Sequence, residues 1–182
     1  MRKIILTLLV FVVVCLCSCS SNETIKSGSF TLECPKDLEL VESEDIQNGI
    51  YREVHYLTYS GEDKYDRTYL FGQEDNEVFE ITLILNEKEP GKTAIDYSSE
   101  MRASLTDHGN GGWWTVFSEI ENKEDSISFK ASPNRKEIQD YGVQYYRFFE
   151  KDGGIAVVQI TVREDANNKY ENTIKQILNS VK

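Results

Sequence analysis

The sequence has few of the residues that most often carry metal and nucleophilic chemistry. Among its 182 residues there are two histidines, four cysteines and three prolines. His55 and His108 lack the spacing of a zinc site, and no serine lies in a Gly-x-Ser-x-Gly turn that a histidine could serve. These absences argue against metal ligation and serine-type hydrolysis, and we predict neither a catalytic residue nor a cofactor.

Basic residues are also scarce. Twenty lysines and arginines stand against 31 aspartates and glutamates, for a formal net charge of −11. Nucleic acid is therefore excluded as a partner, since its binding depends on cations that neutralise phosphates. Anionic headgroups would repel this surface as well, so membrane attachment would need an anchor. Acidic turns such as 62–66 and 74–77 are interpreted as solvated rather than as calcium sites.

The only long apolar run is at the N-terminus. Arg2 and Lys3 precede an apolar run over residues 4–17, and small residues follow it. The run is shorter than the roughly 20 residues that a spanning helix needs, so residues 1–18 are predicted to be a signal peptide. Since its two charged residues are both basic, its removal changes the net charge from −11 to −13.

The end of this leader carries a sharper motif, Leu16-Cys17-Ser18-Cys19. It resembles the bacterial lipobox, which implies lipid attached to Cys19 and cleavage just before it. The implied location is the outer face of a bacterial cell membrane, or the outer membrane where there are two, because Ser20 is not aspartate. An ordinary signal peptide with an incidental Cys19 is the alternative.

One cysteine, Cys34, lies outside the leader region. No disulfide can form within the folded region, so its thiol is either buried or free to react. We expect burial, because an unpaired cysteine usually behaves as a small hydrophobic residue.

The rest of the sequence predicts a short spacer followed by a single domain. Residues 19–28 are small and polar and predict a flexible tether, and residues 29–182 predict one α+β domain. Strands are expected where β-branched and aromatic residues are separated by turn residues, at 30–34, 38–41, 50–59, 68–71, 78–85, 113–120, 127–131, 142–150 and 155–163. Helical spacing predicts helices over 93–108, with Thr93 and Asp96 as a capping box, and over 167–181, capped by Asn167 or Asn168.

The order of these elements resembles the PsbP-like family. The resemblance rests on a hairpin over 142–163 followed by a C-terminal helix ending at Val181, and on Pro35 after the opening strand. The aromatic residue that usually follows this proline is absent, and Lys36 stands there. The resemblance implies an α/β/α sandwich with a mostly antiparallel sheet, used for binding or assembly and often carried on exported lipoproteins.

A glycine-rich segment followed by two tryptophans is the predicted contact surface for a partner. Its residues are Gly111, Gly112, Trp113, Trp114 and Phe117. Because neighbours on a strand face opposite sides, the two tryptophans are both buried only if both sheet faces are covered. Either the mid-chain helix covers the face of Trp113, or the aromatics form an exposed patch for an envelope protein or glycan.

The sequence therefore favours a lipid-anchored binding or assembly module at the cell envelope, without catalysis. Two alternatives remain. One is an envelope hydrolase with unassigned carboxylates, and the other is an acidic inhibitor or immunity protein that neutralises a basic toxin.

Overall fold

An antiparallel sheet forms the centre of the domain. The computed structural model describes residues 22–36, 38–41, 51–60, 77–106, 114–123, 126–134 and 142–182. The elements in chain order are β1 Asn22–Ser27, β2 Phe30–Pro35, β3 Leu38–Val41, β4 Tyr51–Ser60, β5 Glu77–Glu87, α1 Ala94–Thr106, β6 Trp114–Lys123, β7 Ser126–Pro133, β8 Val143–Lys151, β9 Gly154–Val162 and α2 Glu164–Ser180. In these residues, seven strands pair in the order β3-β4-β5-β9-β8-β7-β6, and β1 pairs with β2 separately.

The two central strands are apolar on both sides. Alternate residues of a strand point to opposite faces, and β8 and β9 bury side chains on each face in two separate clusters. A sheet of this kind must be covered on both sides. Helix α1 covers one side, which we call the α1 face, and α2 with the β1–β2 hairpin covers the other, the α2 face.

On the α1 face, the helix packs mainly against β6, β7 and β8. Beneath it the Phe129 and Tyr146 rings stack with their centroids 4.9 Å apart. The predicted capping box is confirmed: the Thr93 amide donates to Asp96 Oδ2 at 2.7 Å, and the Asp96 amide donates to Thr93 Oγ1 at 3.3 Å. The Thr93 hydroxyl also donates to Asp96 Oδ2, at 2.7 Å, and this bond, together with the one from the Thr93 amide, lowers the pKa of the Asp96 carboxyl.

On the α2 face, two polar side chains of β8 fix the helix. The buried Tyr145 hydroxyl donates to Asn167 Oδ1 at 2.6 Å near the start of α2. The Arg147 guanidinium donates to the carbonyls of Leu178 and Val181 at 2.8 and 3.0 Å, where helix carbonyls lack intrahelical partners. The helix begins at Glu164 rather than at the predicted Asn167, whose side chain accepts the Tyr145 bond instead of capping the helix.

The predicted tether differs from the structure where it is described. Residues 22–27 form β1, which pairs with β2 from Asn22 opposite Pro35 to Ser27 opposite Phe30. The composition does not indicate this strand because most of its side chains are exposed. Ile25 packs against the core beside β2, and the small polar Ser27 is buried. The remaining expected strands and helices have counterparts close to the predicted bounds, except residues 68–71, which lie outside the described residues.

Two glycines with positive φ provide a test of the β8–β9 arrangement. A Cβ added at Gly142, φ +67, would overlap the Val162 carbonyl oxygen, whereas one at Gly153, φ +72, meets nothing within 4 Å. We expect Gly153→Ala to lower the free energy of unfolding by about 1 kcal/mol through backbone strain alone. Gly142→Ala should cost about 3 kcal/mol, because the clash with backbone adds to that strain. Urea denaturation measures both, and equal costs would contradict the close approach at Gly142.

Candidate functional site

Helix α1 leaves a polar area beside it on the α1 face. Because α1 packs mainly on β6 to β8, the area over β9 and β5 is bordered rather than covered by the helix. The polar side chains there, with the buried Gln144 on the adjacent strand β8, form what we call the polar patch: Glu80, Thr82, Gln144, Gln159 and Thr161. Strand register places them in two adjacent rows, with Glu80 and Gln144 on either side of Thr161, and Thr82 beside Gln159.

Hydrogen bonds order part of this patch. The Tyr146 hydroxyl donates to Gln144 Oε1, and Gln159 Nε2 donates to Thr161 Oγ1 at 3.4 Å. Burial raises the pKa of Tyr146, so its hydroxyl stays protonated and remains a donor. Gln159 and Thr161 are half-buried, so each residue is partly accessible to solvent.

A cation stands at the border between α1 and the sheet. The Arg102 guanidinium carbon lies 5.8 Å from the Phe129 ring centroid. Phe129 stacks on Tyr146, which lies opposite Gln159 of the patch. Stacking of this kind keeps an arginine in place over an aromatic ring. The patch therefore combines amides and hydroxyls with one carboxylate, Glu80, while Arg102 lies over Phe129 of β7, two strands away from β9.

The spacing of these groups suits a partner bound by several hydrogen bonds at once. Adjacent strands lie about 4.8 Å apart, and side chains on one face repeat about every 6.7 Å along a strand. Amide and hydroxyl groups on such a grid both donate and accept. Within the described ranges, no three His, Cys, Asp or Glu side chains come together as metal ligands.

The structure describes only some of the residues predicted to contact a partner. Cys19, Gly111, Gly112 and Trp113 lie outside the described residues. Trp114 begins β6 opposite Pro133, is half-buried, and packs with Val116 against the cluster beneath α1. Phe117 lies in β6 opposite Lys130.

The position of Trp114 settles which face the mid-chain helix covers. Because Trp114 and Val116 share the cluster that contains Ala94 of α1, the helix lies on their face of the sheet. The interpretation in which the mid-chain helix covers the face opposite to that of Trp114 is therefore wrong.

Sequence reasoning missed the polar patch, although a signal for it exists. Gln159 and Thr161 alternate with the buried Val158, Ile160 and Val162. The alternation indicates a strand with one apolar face. It does not indicate which polar residues from other parts of the sequence lie beside Gln159 and Thr161 in the folded sheet.

The fold defines an α+β sandwich of PsbP-like architecture, as the order of elements predicts. No protein-family model and no curated protein matches the sequence. The solution structure of the cyanobacterial PsbP protein CyanoP from Synechocystis sp. PCC 6803 is similar, with a TM-score of 0.50 and 10% identity over 91% of this chain and 94% of that one.

A second similar structure is LpqN of Mycobacterium tuberculosis, a protein involved in cell envelope biogenesis. The TM-score is 0.50 at 11% identity, over 88% of this chain and 89% of that one. What these proteins share with this chain at such identities is the fold. Of the helices that the structure describes, neither has both the length and the apolar composition needed to cross a membrane.

The expected burial of Cys34 is confirmed, and it generates a prediction. Cys34 is fully buried in β2, and burial, with a smaller contribution from Glu23, raises the pKa of its thiol to about 12. The native thiol should therefore resist alkylation at pH 8 and react fully in denaturant. Above about pH 8.5 the unfolded thiol ionises while the folded one does not, so stability should fall as pH rises.

The matched control is Cys34→Ala. This variant should lack both the denaturant-dependent thiol and the part of the alkaline loss that Cys34 causes. Rapid alkylation of the native wild type at the rate of a free thiol would contradict the burial of Cys34.

Proposed function

We propose that the protein is a non-catalytic binding or assembly module, held at the outer face of a bacterial membrane by lipid on Cys19. The observation that carries the proposal is the lipobox-like Leu16-Cys17-Ser18-Cys19 at the end of an apolar leader. Two or more acyl chains hold a protein stably, since each buried CH₂ contributes about 0.8 kcal/mol. Similarity to the fold of LpqN, whose role is in cell envelope biogenesis, supports an envelope setting.

The polar patch is the proposed contact surface. Its residues Gln159 and Thr161 are half-buried and carry hydrogen-bonding groups. The half-buried Trp114 lies on the same face of the sheet, with strands β7 and β8 between it and β9. A surface whose hydrogen-bonding groups are mostly uncharged amides and hydroxyls fits an envelope protein or glycan better than a highly charged partner. The contact surface predicted from the glycine-rich segment leads into strand β6 at Trp114.

Lipid attachment is tested by removing the acceptor thiol. We expect Cys19→Ala to abolish acylation and to leave the protein unprocessed or released, because no other thiol occupies the acceptor position. Cys17→Ala is the matched control, since it keeps a small residue at its place in the motif and should stay acylated and membrane-bound. Intact mass and membrane fractionation in the native host measure both. An unacylated wild type outside the membrane fraction would refute the anchor.

The contact surface is tested by adding charge to it. Gln159→Lys, at a half-buried position, should lower the free energy of unfolding by about 1 kcal/mol, because the bond to Thr161 is lost. It should reduce crosslinking of the folded protein to envelope neighbours at least about tenfold, because a buried unpaired charge opposes binding. Asn172→Lys, exposed on α2, adds the same charge elsewhere and should leave crosslinking unchanged. Equal crosslinking by the two variants would exclude the patch as the contact surface.

A further inference from the structure

We infer that the domain rests directly on the lipid headgroups through the open end of the β1–β2 hairpin, the end at which Asn22 pairs with Pro35. This inference rests on the proposed lipidation of Cys19. It goes further by naming the surface that meets the bilayer.

The length of chain between the anchor and the fold carries the argument. Asn22 already belongs to β1, so only Ser20 and Ser21 separate the ordered strand from Cys19. Consecutive Cα atoms are about 3.8 Å apart, which limits the distance from Cys19 to Asn22 to about 11 Å at full extension. A domain of this size has a radius of gyration of about 15 Å. The spacer is therefore too short for the domain to stand clear of the membrane.

The hairpin cannot easily lengthen this spacer by unravelling. All six residues of β1 pair with β2, and Ser27 and Ile25 pack inward. Strand β2 is in turn held by Phe30 and Leu32, which are buried in the α2-face cluster.

The C-terminal end of the described chain holds the other edge of β2. Thr31 and Lys182 exchange two backbone hydrogen bonds, of 3.2 and 2.9 Å. The Glu33 amide donates to Ser180 Oγ at 2.8 Å. Because β2 is held along both edges, the hairpin transmits the position of the anchor to the whole domain.

The surface at the open end does not itself attract anionic lipid. Glu23 and Glu33 are exposed there beside the exposed Lys36. Contact with the bilayer is therefore imposed by the short covalent connection. It should not depend on salt or on anionic lipid, in contrast to attachment through a basic surface.

Two labelled variants on the same hairpin test the inference. Lys36→Cys places a thiol at the open end, and Ser29→Cys places one in the exposed turn at the closed end, about 17 Å away along the strands. The buried Cys34 does not compete for the label. The acylated proteins, each carrying one fluorophore, are placed in phosphatidylcholine vesicles with a headgroup-labelled quenching lipid. We expect quenching at least about twofold stronger at Lys36→Cys than at Ser29→Cys.

A longer spacer provides the control. Twenty Gly and Ser residues inserted between Ser21 and Asn22 have a root-mean-square span of about 25 Å, which lets the domain move away from the bilayer. With the insertion present in both variants, quenching at Lys36→Cys should fall to that at Ser29→Cys. Equal quenching of the two labels without the insertion, or quenching that the insertion leaves unchanged, would overturn the inference while leaving the proposed lipid anchor intact. An intact mass without acyl chains would overturn the anchor and the inference together.

Discussion

Strands β8 and β9 carry large apolar side chains on both of their faces, and the layers of the domain follow from this. Tyr145 and Ile160 are fully buried on the α2 face. Phe148 and Ile155 are buried almost completely on the α1 face. Burying each such side chain contributes about 2 kcal/mol, so leaving either face open would sacrifice much of the small net stability of a domain. Both helices and the β1–β2 hairpin are placed where they prevent that exposure.

The two faces of the sheet are covered to different extents, and the candidate site lies on the face that is covered less. On the α2 face, a 17-residue helix and the hairpin together enclose the residues of β5, β8 and β9. On the α1 face, a 13-residue helix lies mainly over β6 to β8. Beneath the helix the side chains of this face are aromatic, as at Phe129 and Tyr146. On the next strands, β9 and β5, they are polar at Gln159 and Thr82, so the polar patch begins at the border of the helix.

Much of the architecture could be predicted because its signals are local. The Thr93 capping box, the hairpin around Gly153 and the apolar stripe of α2 each lie within a few residues of one another. Strand β1 was missed because its stability comes from β2 and the core rather than from its own composition. The polar patch was missed because Glu80 and Thr161 become neighbours only through β5–β9 pairing. Cys19 and the glycine-rich segment remain predictions from the sequence.

The pairing of β5 with β9 also determines the order in which the sheet can form. Helix α1 and strands β6, β7 and β8 all lie between these two partners in the chain, and β9 follows all the other described strands of the sheet. Hairpins such as β6–β7 and β8–β9 can close early, but joining the two halves of the sheet requires a long loop to close first. Because a chain is synthesised from its N-terminus, the edge of β5 that pairs with β9 stays unpaired until β9 has been made. During that interval the unpaired edge is the part most exposed to wrong pairing with other chains.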